Sequence, residues 1–192
     1  MDSKKLYVFD FDNTLIKTTA KINVICPNLG HVIRSLSSEE FNTYQNEENH
    51  ILDFNEFECP EILGKETAHE KVFAMLVRKY NEGKDIAIVT ARGSAKLIEK
   101  FLLDSGISIE KNMIIAINEK GFRHSGSIKE RKRKSLEDLI KMGYSNIEFI
   151  DDSMDNLLEV YELTDIYRIE LKITHVENGK PKTVRKFQGR KI

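Results

Sequence analysis

Two aspartates separated by one residue close the apolar run Leu6-Tyr7-Val8-Phe9, and the segment continues Asp10-Phe11-Asp12-Asn13-Thr14-Leu15. Side chains two apart on a strand share a face, so Asp10 and Asp12 are expected to converge at its C-terminal end while Phe11 turns to the core. In open parallel sheets that end is where ligands bind. Two adjacent carboxylates repel unless a cation or a shared proton compensates. A magnesium ion, which takes hard oxygen ligands, would supply that compensation. Taken alone, the pair reads equally well as a polar turn behind an edge strand.

Other polar groups follow their own apolar runs. Ile88-Val89-Thr90-Ala91-Arg92 places a hydroxyl and a guanidinium at a strand tip, both suited to gripping phosphate oxygens. A strand-to-helix turn with a surface arginine is the alternative there. Phe149-Ile150-Asp151-Asp152 ends another run in two adjacent acids, an arrangement that also complements the dipole of a following helix. The basic run Lys129-Glu130-Arg131-Lys132-Arg133-Lys134 opens a helix from which one lysine could reach the same place, although most of its cations must face solvent.

In order and spacing these groups resemble the motifs of the haloacid dehalogenase-like (HAD) superfamily: Asp-x-Asp-x-Thr, a strand-terminal Ser or Thr, a helical Lys, and a strand-terminal acidic pair. The matching residues are Asp10-Phe11-Asp12-Asn13-Thr14, Thr90, a lysine of the 129–134 run, and Asp151-Asp152, so the likeness spans roughly Leu6 to Leu163. Thr90-Ala91-Arg92 together with the acidic pair is similar to the phosphatase half of polynucleotide kinase-phosphatases and to small phage-type members. The resemblance implies a three-layer Rossmann-like parallel sheet with a small flap or cap inserted after the first strand. It also implies a magnesium-dependent phosphatase working through an aspartyl-phosphate. Asp10 would be the nucleophile and Asp12 the general acid and base. Asp10, Asp12 (through its backbone carbonyl) and Asp152 would hold Mg2+, with Asp151 orienting water or the lysine from behind. Thr90 would hydrogen-bond a phosphate oxygen and Arg92 would clamp the phosphate. Lys132 is the favoured lysine, four residues before Leu136 and seven before Leu139 on the apolar side of its helix; Lys129 and Lys134 are the alternatives.

The elements that must position these residues alternate between β-rich runs and helix-period segments, the pattern of an α/β fold. Strands are expected over 6–11, 86–90, 113–117, 147–151 and 166–173, covered on both faces. A Thr67-to-Glu70 capping box predicts one helix, ending at Gly83. Others are expected over 94–105, 129–142 and from Ser153 to Leu163. The stretch 16–65 breaks the alternation: a hairpin through Pro27-Asn28-Leu29-Gly30, then a polar, acidic segment holding Phe41, Phe54 and Phe57. It reads as the flap or small cap. Residues 174–192 read as a hairpin around Glu177-Asn178-Gly179-Lys180 and a basic tail that includes Lys182, Arg185, Lys186, Arg190 and Lys191.

At 192 residues the chain, 1–192, suits one domain with an insertion. A charged fraction of 32% beside 40% hydrophobic residues disfavours both general disorder and an integral membrane protein, and a net charge of −1 gives no field for steering onto nucleic acid or membrane. Two cysteines without Cys-x-x-Cys spacing suit a reducing, cytoplasmic setting. Cys26, His31, His50, Cys59 and His69 lack the spacing of a zinc site. The functional expectation is hydrolysis of a phosphate monoester, on a nucleotide or the 3′-phosphate end of a nucleic acid, with no membrane partner. A phosphatase or phosphotransferase for a small metabolite, and a non-catalytic binding module, are the alternatives.

Overall fold

Leu6, Tyr7, Val8 and Phe9 are all buried, which requires a strand covered on both faces. The computed structural model describes residues 4–46, 49–184, 186–187 and 190–191, and divides into two compact units, one of 1–17 with 68–192 and one of 18–67. In the larger unit the strands are β1 (Lys4–Phe9), β2 (Asp85–Thr90), β3 (Ile114–Ala116), β4 (Tyr144–Asp151), β5 (Glu170–Glu177) and β6 (Lys180–Thr183). They form one sheet in the order β6-β5-β4-β1-β2-β3, parallel throughout except for the antiparallel β5–β6 hairpin. The helices are α1 (Glu70–Asn81), α2 (Ala95–Asp104), α3 (Ile128–Lys141), α4 (Met154–Tyr161) and α5 (Leu163–Ile166). The result is a mixed α/β arrangement with a mostly parallel central sheet flanked by helices.

Strand periodicity sorts the helices. Leu6, Val8, Ala87, Val89, Ile147 and Phe149 point to one face and pack with Leu136 and Leu139 of α3 and Leu157 and Val160 of α4. Phe11, just past β1, meets Phe101 of α2 edge-on at 5.3 Å, and Phe101 meets Phe73 of α1 at 6.4 Å. Each such buried apolar side chain contributes ~1.5–3 kcal/mol. The chain moves outward from β1 to β2 and β3, then returns through α3 to place β4 on the other side of β1. Strand order therefore reverses between β1 and β4, the point in open parallel sheets beyond whose carboxyl ends ligands bind.

Several expected boundaries shift. The first strand stops at Phe9, because Leu15 N and Ile16 N both donate to Phe11 O and turn the chain. The Thr67 capping box is not used: Thr67 and Ala68 are extended and the helix begins after His69, which makes no side-chain cap. Ser127 and Glu130 instead form a complete capping box at α3. The fifth strand starts at Glu170, since Leu163–Ile166 form a short helical turn closed by Tyr167 N on Leu163 O. The expected hairpin is present, with Asn178 and Gly179 both at positive φ (49° and 70°) as a two-residue turn requires. Of the basic tail, Arg185 lies outside the described residues.

The smaller unit spans Thr18–Thr67, displaced by two residues from the expected 16–65. Its three-stranded antiparallel sheet has Ile22–Ile25 in the centre, Val32–Leu36 on one side and Ile51–Asp53 on the other. Ile22, Val24 and Leu36 form its core, with Phe41, Tyr44, Leu52 and Phe57 packed against them. Phe41 and Phe57 thus pack on this small core, while Phe54, 37% exposed, meets both of their rings. Glu66 Oε1 accepts from Thr19 N at 2.9 Å and Ala20 N at 3.2 Å, tying the start of the unit to its end.

Candidate active site

The reversal between β1 and β4 is where the polar residues gather. Asp10 N donates to Ile150 O at 2.9 Å, carrying the β1–β4 pairing one residue beyond β1, and Asp10 is buried at 3% exposure. β4 ends in Asp151, fully buried, followed by half-buried Asp152 and by Ser153, which caps α4. Opposite them stands Lys132, on the α3 face that carries Leu136 and Leu139, so its stem runs through the core. Its Nζ donates to Asp10 Oδ1 at 2.6 Å and to Asp151 Oδ2 at 2.7 Å. Lys129 pairs with Glu159 and Lys134 donates to Ser125 O, so of the three lysines it is Lys132 that the helix turns inward.

Asp12 goes elsewhere. Its carboxylate receives Arg92 Nε at 3.1 Å on each oxygen and Nη2 at 2.7 Å, a short two-pronged ion pair with a guanidinium whose side chain is wholly buried. Thr90 Oγ1 lies 3.5 Å from Asp12 Oδ2, at the limit of a hydrogen bond, and accepts from Arg92 N at 3.2 Å. β1 ends at Phe9, Asp10 N carries its pairing on to Ile150 O, and Asn13 at φ 55° takes the chain into a turn after Asp12, whose charge still bears on Asp10. Arg92, expected to clamp phosphate, holds the Asp12 carboxylate in this structure. Thr14, also buried, donates to Asp152 Oδ1 at 3.4 Å.

Among the described residues, Asp10, Asp151 and Asp152 form a group whose ligand oxygens lie within 4.8 Å of one another, and this group could hold a metal ion. The Asp12 carboxylate is not part of it. Burial pushes the Asp10 carboxyl well above its ordinary range against the opposing charge of Lys132, and neighbouring Asp151, Asp152 and Asp12 push it the same way. Burial, then the charge of Asp151, raise Asp152 to about 7. Burial alone would lower Lys132, but Asp10 and Asp151 overcome it and hold the ammonium charged. With all four ionised, the carboxylates of Asp10, Asp12, Asp151 and Asp152 would exceed the two cations Arg92 and Lys132 by two negative charges; burial and this repulsion together raise Asp10 and Asp152. A hard divalent cation fits both the all-oxygen donor set and that excess.

Two neighbours carry no sequence signal. His175 is paired with Asp151 by the β4–β5 register and places Nε2 2.9 Å from Asp152 O, an arrangement that assigns the proton to Nε2. Asn156, in the first turn of α4, donates to both oxygens of Asp151. In the smaller unit His50 Nδ1 meets Tyr44 Oη at 3.2 Å and Cys59 Sγ donates to Glu61 Oε2 at 3.0 Å. Compared with protein-family models, curated proteins and solved structures, the chain finds no match in any of the three.

Proposed function

We propose that this chain is a magnesium-dependent phosphatase of the haloacid dehalogenase-like kind, hydrolysing a phosphate monoester through a phosphoryl group carried on Asp10. One observation supports this above the others. A buried lysine holds a buried aspartate at 2.6 Å where a parallel sheet reverses its strand order, beside two further acids and a strand-terminal threonine. A structural ion pair rarely recruits so many uncompensated carboxylates, whereas a site that receives a cation and an anionic substrate has use for them.

In this reading Asp10 attacks phosphorus as the ester oxygen leaves on the opposite side, and water then displaces the carboxylate from phosphorus. Asp12 gives the leaving oxygen its proton and afterwards takes one from the attacking water. Arg92 fixes the direction of the Asp12 carboxylate from both oxygens. The Thr90 hydroxyl, loosely engaged, turns to a non-bridging phosphate oxygen. Lys132 offsets the charge of Asp10 and of the transferring phosphoryl group. Asp10, Asp152 and the Asp12 backbone carbonyl would hold Mg2+, which supplies Lewis-acid stabilisation of charge on the phosphoryl oxygens.

The proposal extends to a nucleotide or the 3′-phosphate end of a nucleic acid. The inserted unit is small, and basic residues recur from Lys180 onward. Turnover of a 3′-phosphorylated oligonucleotide that falls steeply with salt supports this extension, and faster, salt-insensitive turnover of simple sugar phosphates opposes it. The proposal as a whole is tested by screening phosphorylated metabolites, nucleotides and oligonucleotides with and without magnesium, beside Asp10→Asn. Magnesium-dependent release of phosphate that disappears in the variant is the expected result. Undiminished release in the variant removes Asp10 from the mechanism.

A further inference from the structure

Asn156 lies where α4 otherwise turns apolar residues inward, next to Leu157 and four residues before Val160, and it is only 7% exposed. Asparagine is a weak helix former, and a buried amide costs free energy unless it is hydrogen-bonded. Its Nδ2 lies 3.1 Å from Asp151 Oδ1 and 3.2 Å from Oδ2. A carboxylate only accepts, so the amide nitrogen and not its oxygen must face the acid. Asp151 Oδ1 also accepts from Ser153 N at 2.8 Å, and Oδ2 from Lys132 Nζ at 2.7 Å. Both oxygens of this fully buried carboxylate are therefore held by donors from α4, from the turn before it and from α3.

We infer that Asn156 is a positioning residue: it locks the plane of the Asp151 carboxylate, and Asp151 in turn holds the Lys132 ammonium on Asp10. The geometric part stands by itself, while its kinetic consequence rests on the phosphatase reading above. Lys132 reaches the site on a long flexible stem, so its acceptors decide where the charge sits. One acceptor, Asp10, belongs to the reacting group and must change partners during the reaction. The other, Asp151, must stay still, and the amide lying across both of its oxygens removes its freedom to rotate. A misplacement of about 1 Å at a reacting centre costs on the order of 10²-fold. Substitutions one layer behind a reactive centre commonly cost about 10–100-fold.

Because Asn156 acts through Asp151, the test is a double-mutant cycle. Asn156→Ala is expected to lower kcat about 10–100-fold, with KM and the magnesium concentration for half-activity little changed. In an Asp151→Asn background the same substitution is expected to cost less than about twofold. Asn156→Asp, which keeps the volume but replaces the donor by an acceptor, is expected to fall at least as far as the alanine variant. That result separates the lost hydrogen bond from lost packing. A second readout needs no turnover: the side-chain NMR resonance of Lys132 is expected to move on Asn156→Ala in the native background and to stay in place in the Asp151→Asn background. If the native chain hydrolyses no phosphate monoester, the phosphatase reading falls and the resonance alone decides the role of Asn156. Equal losses in both backgrounds, or a Lys132 resonance indifferent to Asn156, overturn the inference.

Discussion

Replacing Lys132 by methionine keeps most of the buried stem and removes the charge that stands between Asp10 and Asp151. Both acids are buried, and both lose a hydrogen bond, of 2.6 Å and 2.7 Å respectively. Breaking a buried pair by deleting one partner costs about 3–5 kcal/mol, because the surviving charge is left uncompensated. For a chain of this size each kcal/mol corresponds to about 2–4 °C, so Tm should fall by about 6–20 °C near pH 8. The loss should shrink near pH 5. Asp10 and Asp152 already sit above their ordinary range, and protonation relieves the repulsion that the missing ammonium leaves behind. Lys134→Met is the control: its half-buried side chain donates to the Ser125 backbone oxygen rather than to a buried acid, and about 0.5 kcal/mol or less is expected. Thermal unfolding of the two variants at the two pH values reads this directly. Equal, small shifts for both, or a Lys132→Met loss that does not change with pH, would refute the claim that this lysine neutralises a buried acid cluster.

The same acids make metal binding and stability depend on pH together. Between the ordinary carboxyl value of 3.8 and the raised value of about 7, folded Asp152 keeps a proton that the unfolded chain has lost, so the metal-free protein should lose stability as pH rises through that window and level off above it. Magnesium should therefore raise Tm most near pH 8 and little near pH 5, measured by thermal unfolding at saturating metal. A magnesium effect equal at both ends contradicts this. Arg92→Lys preserves charge but loses the two-pronged contact with Asp12; kcat should fall on the order of 10²-fold with KM nearly unchanged, and activity comparable to the native chain removes Arg92 from the account.

The site residues were legible because burial on both faces makes parallel strands into apolar runs, so the polar residue that ends each run stands out. Asp10, Thr90 and Asp151 all occupy such ends, and structure brings the loops that follow β1, β2 and β4 together. Lys132 was legible from its spacing to Leu136 and Leu139, a rule that holds because α3 lies on the sheet along that face. The ion pair of Asp12 with Arg92 carries no signal in the sequence, because it joins loops behind two different strands. Asn156 was invisible: an asparagine in the first turn of a helix reads as solvated, and only tertiary burial shows otherwise. Thr67 carries a capping pattern that the extended chain there overrides. The interior of residues 18–67 was hard to read because its strands are short and the edge strand Val32–Leu36 is exposed for most of its length, which blurs the alternation that marks a strand.

The central claim is that phosphorus becomes bonded to Asp10. Quenching the enzyme during turnover of a reactive phosphate monoester with magnesium, reducing with borohydride and mapping the peptides by mass spectrometry tests it most directly. Reduction of an acyl phosphate converts aspartate to homoserine, so the account expects homoserine at position 10, present only when substrate and magnesium are both supplied. Steady turnover with position 10 unmodified, or with the mark on Asp12, Asp151 or Asp152 instead, contradicts it.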